Sequence, residues 1–107
     1  MPWCLAKCQD NFCPISDLFE AQVDPYAVEL EMKVNGQVRQ NDLAGKMHFK
    51  IDFLISYISQ YISLSEGDLI LTGTPDGVGP VVPGDRVEAY AKHEGKVISA
   101  LEFDVEA

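Results

Sequence analysis

Val28-Glu29-Leu30-Glu31-Met32-Lys33-Val34 alternates strictly between apolar and charged residues, and Asn35-Gly36 follows it directly. Period-two alternation puts the apolar side chains on one face of a strand and the charged ones on the other. Asn-Gly suits the positive φ needed at both central positions of a type I′ turn, which reverses a strand in two residues. Gln37-Val38-Arg39-Gln40 is then the return strand, and the stretch predicts an antiparallel hairpin with one wet face. Glu29 and Glu31 share that wet face. Two carboxylates so spaced suit a metal, but solvated strand side chains are the commoner outcome.

Working outward, Asp85 to Ala91 and Lys96 to Val105 read as two more strands joined by a His93-Glu94-Gly95 turn, with Val97, Ser99, Leu101, Phe103 and Val105 sharing one face. Asn41 to Lys50 reads as a polar loop in which His48 is a surface histidine. Apolar residues at 51, 54, 55, 58 and 62 have the spacing of one helix face, and Asp52 suits the positive end of that helix. It is a packing helix whose opposite face offers Ser56, Ser59 and Gln60. Residues 17–27, with Asp17, Glu20, Asp24 and Pro25, form a surface connection. About five or six strands and one main helix make a mainly β (α+β) fold with antiparallel strands.

Gly67-Asp-Leu-Ile-Leu-Thr-Gly-Thr-Pro-Asp-Gly-Val-Gly-Pro80 is the stretch with chemical potential. Leu69-Ile70-Leu71 has the length of a buried strand. Beyond it the chain breaks into glycines and prolines, which let backbone approach a ligand and hold the loop's path. Thr72 and Thr74 would there present hydroxyls and amides to an oxygen-rich small molecule. A tight turn between two strands is the plainer reading. A Walker-type phosphate loop is disfavoured, because no Gly-Lys-Ser/Thr opens a helix here.

The 107 residues make at most one domain, and 47% hydrophobic with 23% charged residues is ordinary for a globular protein. The net charge of −9 argues against nucleic acid and anionic membranes, which need clustered Lys and Arg. No apolar run approaches the length of a membrane span. No leader or Arg-rich presequence follows Met1, and a relative addressed to an organelle would carry that signal upstream. Cys4, Cys8 and Cys13 lack paired metal-site spacing and read as reduced thiols. Trp3, Leu5 and Lys7 fall on one side of an extended segment. A lysine there is ordinarily a snorkelling surface residue.

Pro2-Trp3-Cys4-Leu5-Ala6-Lys7, Phe12-Cys13-Pro14, Val34 to Gln40, Leu54 to Tyr61, Gly67 to Pro80 and Val82 to Glu88 occur in one order. Together they resemble the fumarylacetoacetate hydrolase family, closest to its small acylpyruvate hydrolase and oxaloacetate decarboxylase members. The resemblance runs over nearly all of residues 1–107 but only about the C-terminal half of that family's catalytic domain. It implies a mixed β-roll, incomplete here, with the one packing helix. It also implies divalent-cation-dependent cleavage of a C–C bond in acylpyruvate-type 1,3-dicarbonyl or keto acids. Lys7 matches the family's active-site lysine, as the catalytic residue. Thr74 and Gly73 match its substrate-binding Gly-Thr-Pro loop, with Thr72 and Asp76 as lesser candidates. The cofactor implied is Mg²⁺ (or Mn²⁺ or Ca²⁺), with its carboxylate ligands and the water-activating residues upstream of Met1 and no metal ligand in this chain. The partner implied is a small keto-acid substrate, with no nucleic acid and no membrane, in a full-length homodimer that is cytoplasmic or mitochondrial. Leu43-Ala44-Gly45-Lys46 departs from the Ser/Thr-rich stretch usual in relatives. The chain alone is expected to be inactive; the alternative is a truncated remnant that binds a small molecule or dimerises.

Overall fold

The computed structural model describes residues 13–16 and 23–106. Four strands form one antiparallel sheet: β1 (Glu29–Val34), β2 (Gln37–Leu43), β3 (Arg86–His93) and β4 (Lys96–Asp104). Their order across the sheet is β2-β1-β3-β4. One helix, α1 (Ile51–Ser59), and two 3₁₀ turns, Pro25–Ala27 and Ala44–Lys46, complete the regular elements among the described residues. Mainly antiparallel sheet with one helix is the fold class that the alternation implies.

Both hairpins close as their turn residues require. Asn35 and Gly36 have φ of 53° and 80°, and Glu94 and Gly95 have 52° and 78°. The side chain of Asn35 also ties the first turn to the start of β3. Its Nδ2 donates to Asp85 Oδ1 at 2.9 Å, and its Oδ1 accepts from the Arg86 amide at 2.9 Å. Asp85 Oδ2 accepts the Val82 amide at 3.0 Å, closing the Val82-Pro83-Gly84-Asp85 turn. The Val82 amide and then the Asn35 amide hold the Asp85 carboxyl below the usual carboxylate range.

Directly opposed residues of an antiparallel pair share a face. Leu30, Met32 and Val34 therefore lie with Ala91, Ala89 and Val87, and these with Ser99, Leu101 and Phe103. Val34 and Val87, 3% and 4% exposed, face each other at the end of β1, and Val28 is buried just before its start. The other face is charged. Arg86 pairs with Glu102 at 2.9 Å and Asp104 at 3.2 Å, and Glu31 accepts Lys92 at 3.2 Å. Glu31 is thus a lysine partner rather than a metal ligand among the described residues, and at 11% side-chain exposure it is less solvated than the wet-face reading of the strand implies. Tyr90 donates to Glu88, which with burial pushes the phenol up to about 12.

Four expectations are corrected. Leu69-Ile70-Leu71 is not a strand: among the described residues no strand pairs with it, and Leu69 and Leu71 are exposed. An apolar run becomes a strand only when a neighbour takes its backbone groups. Asn41 to Leu43 belongs to β2 rather than to a loop. Val97 does not share the Ser99 face, because a register shift beside Ile98 sets Val97 against Lys92 and Ser99 against Ala91. The helix also ends at Ser59, short of Ile62.

The helix starts without a side-chain cap from Lys50; instead the Ile51 amide donates to the Tyr26 hydroxyl at 3.1 Å. Ile51, Leu54 and Ile58 are its half-buried row. Phe49, Phe53, Tyr57 and Tyr61 form an exposed ladder of rings, with centroids 5.2, 6.0 and 5.4 Å apart.

A second register shift, in β1–β2, matters most. Met32 opposes Gln40 but Lys33 opposes Val38, so Arg39 is the extra residue of a bulge. Unbroken alternation from Gln37 would put Gln40 on the Val38 face. The bulge turns it to the face of Leu30 and Met32. There its Nε2 donates to Thr74 Oγ1 at 2.8 Å and to the Pro75 carbonyl at 2.6 Å. Arg39 reaches the Pro80 carbonyl with Nη1 at 2.6 Å. Gly77, at φ 107°, lies so close to the bulge that a Cβ there would sit 2.0 Å from the Arg39 oxygen.

Gly77→Ala should therefore cost about 2 kcal/mol or more by urea denaturation, since it adds a backbone clash to an unfavourable φ. Gly84→Ala, at φ 96° with open space around it, should cost less. Equal midpoints for the two variants would contradict the clamp. Stability linked to Asp85 has a definite sign as well. Its lowered pKa contributes stability above the ordinary value of about 4, which is lost as pH falls through the lower folded-state value. Thermal melts of Asp85→Asn should show a shallower loss of stability below about pH 5 than the parent. Parallel curves would contradict it.

Candidate functional site

The 72–80 loop crosses the apolar face of the sheet and stands between two concavities. One, of about 420 Å³, is floored by Leu30, Met32, Ala89, Ala91 and Leu101 and also lined by Pro14, Ile15, Ser16, Gln40 and Thr74. The other, of about 340 Å³, is lined by Asp42, Lys46, Met47, His48, Thr72 and Asp76 among others. Gly73, Thr74 and Pro75 line both. This is the geometry of a small-molecule site: an apolar floor with a few convergent polar groups.

Each polar group is positioned by the sheet. Gln40 is the buried polar side chain of the described residues, 8% exposed, and both its bonds go to the loop. Thr74 and Gly73, the two loop residues singled out in the sequence, do meet at the shared wall. Thr72 and Asp76 open instead on the second concavity. There Asp42 binds Lys46 Nζ at 2.9 Å, and that bond, with the Leu43 amide, holds the Asp42 carboxyl below its usual range. The ammonium and carboxylate so compensated give this side a polar character that the first cavity lacks.

Lys7, Cys4 and Cys8 lie outside the described residues. Cys13 is an exposed free thiol, and His48 is exposed with its ring edge on Phe49 at 4.6 Å. Gln40 was not distinguished by sequence pattern. Its signal was there, however: Arg39-Gln40-Asn41 puts three polar residues where alternation demands an apolar one, which marks a bulge.

A divalent cation is the cofactor implied by the resemblance. Among the described residues, no three His, Cys, Asp or Glu side chains are gathered to hold a metal. Hard cations take six or more oxygen ligands, and the described donors do not fit one. What these residues offer is recognition: hydroxyl and amide groups on one wall, and an apolar floor. Among the described residues no helix is long and apolar enough to cross a membrane.

The model for the fumarylacetoacetate (FAA) hydrolase C-terminal region matches residues 1–105. The mitochondrial oxaloacetate tautomerase FAHD1 of Arabidopsis thaliana is 49% identical over 108 aligned positions, covering 99% of this chain and 47% of the relative. Among solved structures, 5-carboxymethyl-2-hydroxymuconate delta-isomerase from Mycobacterium smegmatis superposes with a TM-score of 0.89 at 39% identity, over 98% of this chain and 40% of that one. Maleylpyruvate hydrolase from Sphingobium sp. SYK-6 follows with a TM-score of 0.72 at 35% identity, over 80% and 31%. The chain spans about half the length of the curated relatives it matches. With its ordered motifs, its sheet and helix, and this identity along nearly its whole length, the chain belongs to the fumarylacetoacetate hydrolase family.

Proposed function

We propose that this chain is the C-terminal part of a catalytic domain that acts on acylpyruvate-type 1,3-dicarbonyl or keto acids, cleaving the C–C bond beside the carbonyl. Its residues supply the grip on the substrate. The observation that carries this reading is Thr74, held by Gln40 at a wall shared by two concavities, the larger apolar. A keto acid is small, anionic at one end and apolar at the other. Its carboxylate and keto oxygens would accept from the Thr74 hydroxyl and the loop amides, and its acyl group would lie over Leu30, Met32 and Leu101. Gly73 leaves room for that close backbone approach: nothing lies within 4 Å of where its Cβ would be.

Breaking the bond leaves the electron pair on the keto-acid fragment as an enolate. Donors aimed at that oxygen stabilise it most when they are fixed beforehand. Lys7, by its match to the family's lysine, would add a positive charge there. A divalent cation, Mg²⁺ or a similar hard ion, would come with ligands contributed from outside the described residues, as would a base for water. The full-length form would be a homodimer, and the mitochondrial relatives make that compartment one of the two expected.

A second reading is enolisation without cleavage. It is favoured by relatives named oxaloacetate tautomerase and by an isomerase among the structural neighbours. Both reactions develop negative charge on a keto-acid enolate oxygen, so the same hydroxyl would serve either.

The test is complementation: the chain combined with the upstream half of a family relative, assayed for acetylpyruvate cleavage and for oxaloacetate enolisation. Restored turnover that Thr74→Val lowers by about 10- to 100-fold, the value of a hydrogen bond to a charged group, supports the reading. Cleavage without enolisation would favour the first reaction, and the reverse the second. Restored turnover untouched by both Thr74→Val and Lys7→Ala would overturn the site.

A further inference from the structure

We infer that Gln40 is a positioning residue that sets the direction of the Thr74 hydroxyl proton, an inference that rests on Thr74 being the group that grips the substrate. The argument is one of donors and acceptors. Gln40 Nε2 lies 2.6 Å from the Pro75 carbonyl and 2.8 Å from Thr74 Oγ1. A backbone carbonyl only accepts, so the group facing Pro75 must be the NH₂ end of the carboxamide. That end carries two protons and no accepting lone pair. The second proton therefore goes to Thr74, and Thr74 Oγ1 must accept it.

A hydroxyl that accepts from Gln40 keeps its own proton for another acceptor. Among the described residues no such acceptor takes it. The proton is left for an oxygen in the adjoining concavities. The site then offers a donor, which an anionic acceptor such as a carboxylate or an enolate oxygen takes more strongly than a neutral alcohol does. Burial of Gln40 makes the orientation durable, because turning the amide over would set two oxygens against each other at 2.6 Å. The bulge at Arg39 is what makes this possible, since it alone turns Gln40 to this face.

The probe is oxalate, which mimics the paired oxygens of a keto acid and does not react. It would be titrated into the full chain and followed by proton–nitrogen NMR of the Gln40 side chain and the Thr74 amide. When Thr74 donates to an anion, its oxygen becomes a better acceptor. The Gln40 proton bonded to Thr74 should then shift downfield while the one on Pro75 stays. A purely structural glutamine would not report the ligand on one proton alone.

Gln40→Glu keeps the shape but offers an acceptor, which draws the Thr74 proton inward. It should weaken oxalate binding about tenfold. The same substitution should have no further effect when added to Thr74→Val. If Gln40→Glu lowers the melting temperature, Gln40→Met carries the comparison, filling the space without either bond. Oxalate affinity lost in Thr74→Val but retained in folded Gln40 variants would overturn this inference and leave the site standing. No oxalate shift at Thr74 in the parent chain would overturn the binding reading, and this inference with it.

Discussion

The two hydrogen bonds from the buried carboxamide of Gln40 to Thr74 and Pro75 join the sheet to the loop that carries the Gly-Thr-Pro motif. The 72–80 loop has no regular structure of its own and exposes Val78, as its flanks expose Leu71 and Val82. Its path is therefore set by what it is tied to. Gln40 holds one end, Arg39 holds Pro80, and Gly77 permits the backbone contact between them. All three ties converge on a single irregularity, the bulge in β2. A bulge is a way to re-aim one side chain without dismantling the sheet, and such features concentrate beside functional sites.

The rest of the fold keeps that bulge in place with few resources. Val28, Val34 and Val87 are the buried apolar residues among those described, whereas Phe53, Ile55, Tyr57 and other large apolar side chains stay exposed. Much of the definition comes from polar ties at the hairpin ends. Asn35 and Asp85 fasten the first turn to β3, and Arg86 spans to Glu102 and Asp104. Surface ion pairs contribute little each, so the Asn35–Asp85 junction, with backbone amides as partners, is the stronger element. A thin core with so much apolar surface suits a chain that packs against further protein, in line with relatives about twice its length.

The hairpins and the helix were legible because their signals are local. Alternation in Val28 to Val34, positive-φ residues at Asn35-Gly36, and the spacing of Ile51, Leu54 and Ile58 each require only neighbours in sequence. Thr74 and Gly73 were legible as residues, through their motif. What was hidden depends on register. One extra residue at Arg39 decides which face Gln40 takes, and one at Ile98 moves Val97 off the face of Ser99. Leu69 to Leu71 differs for a related reason, since its strand propensity finds no partner strand among the described residues. The aromatic ladder of the helix, Phe49, Phe53, Tyr57 and Tyr61, recurs every four residues beside the packing row and is set by helix geometry rather than by burial.

The most direct test of this account is the set of through-space proton contacts from the Gln40 side-chain NH₂ in solution, in the full chain without ligand. The account predicts contacts to Thr74 and Pro75 and to Leu30 and Met32 on the apolar face. Contacts to Val38 and Asp42 instead would mean that β2 runs without its bulge, that Gln40 faces the charged side, and that nothing in the sheet directs Thr74.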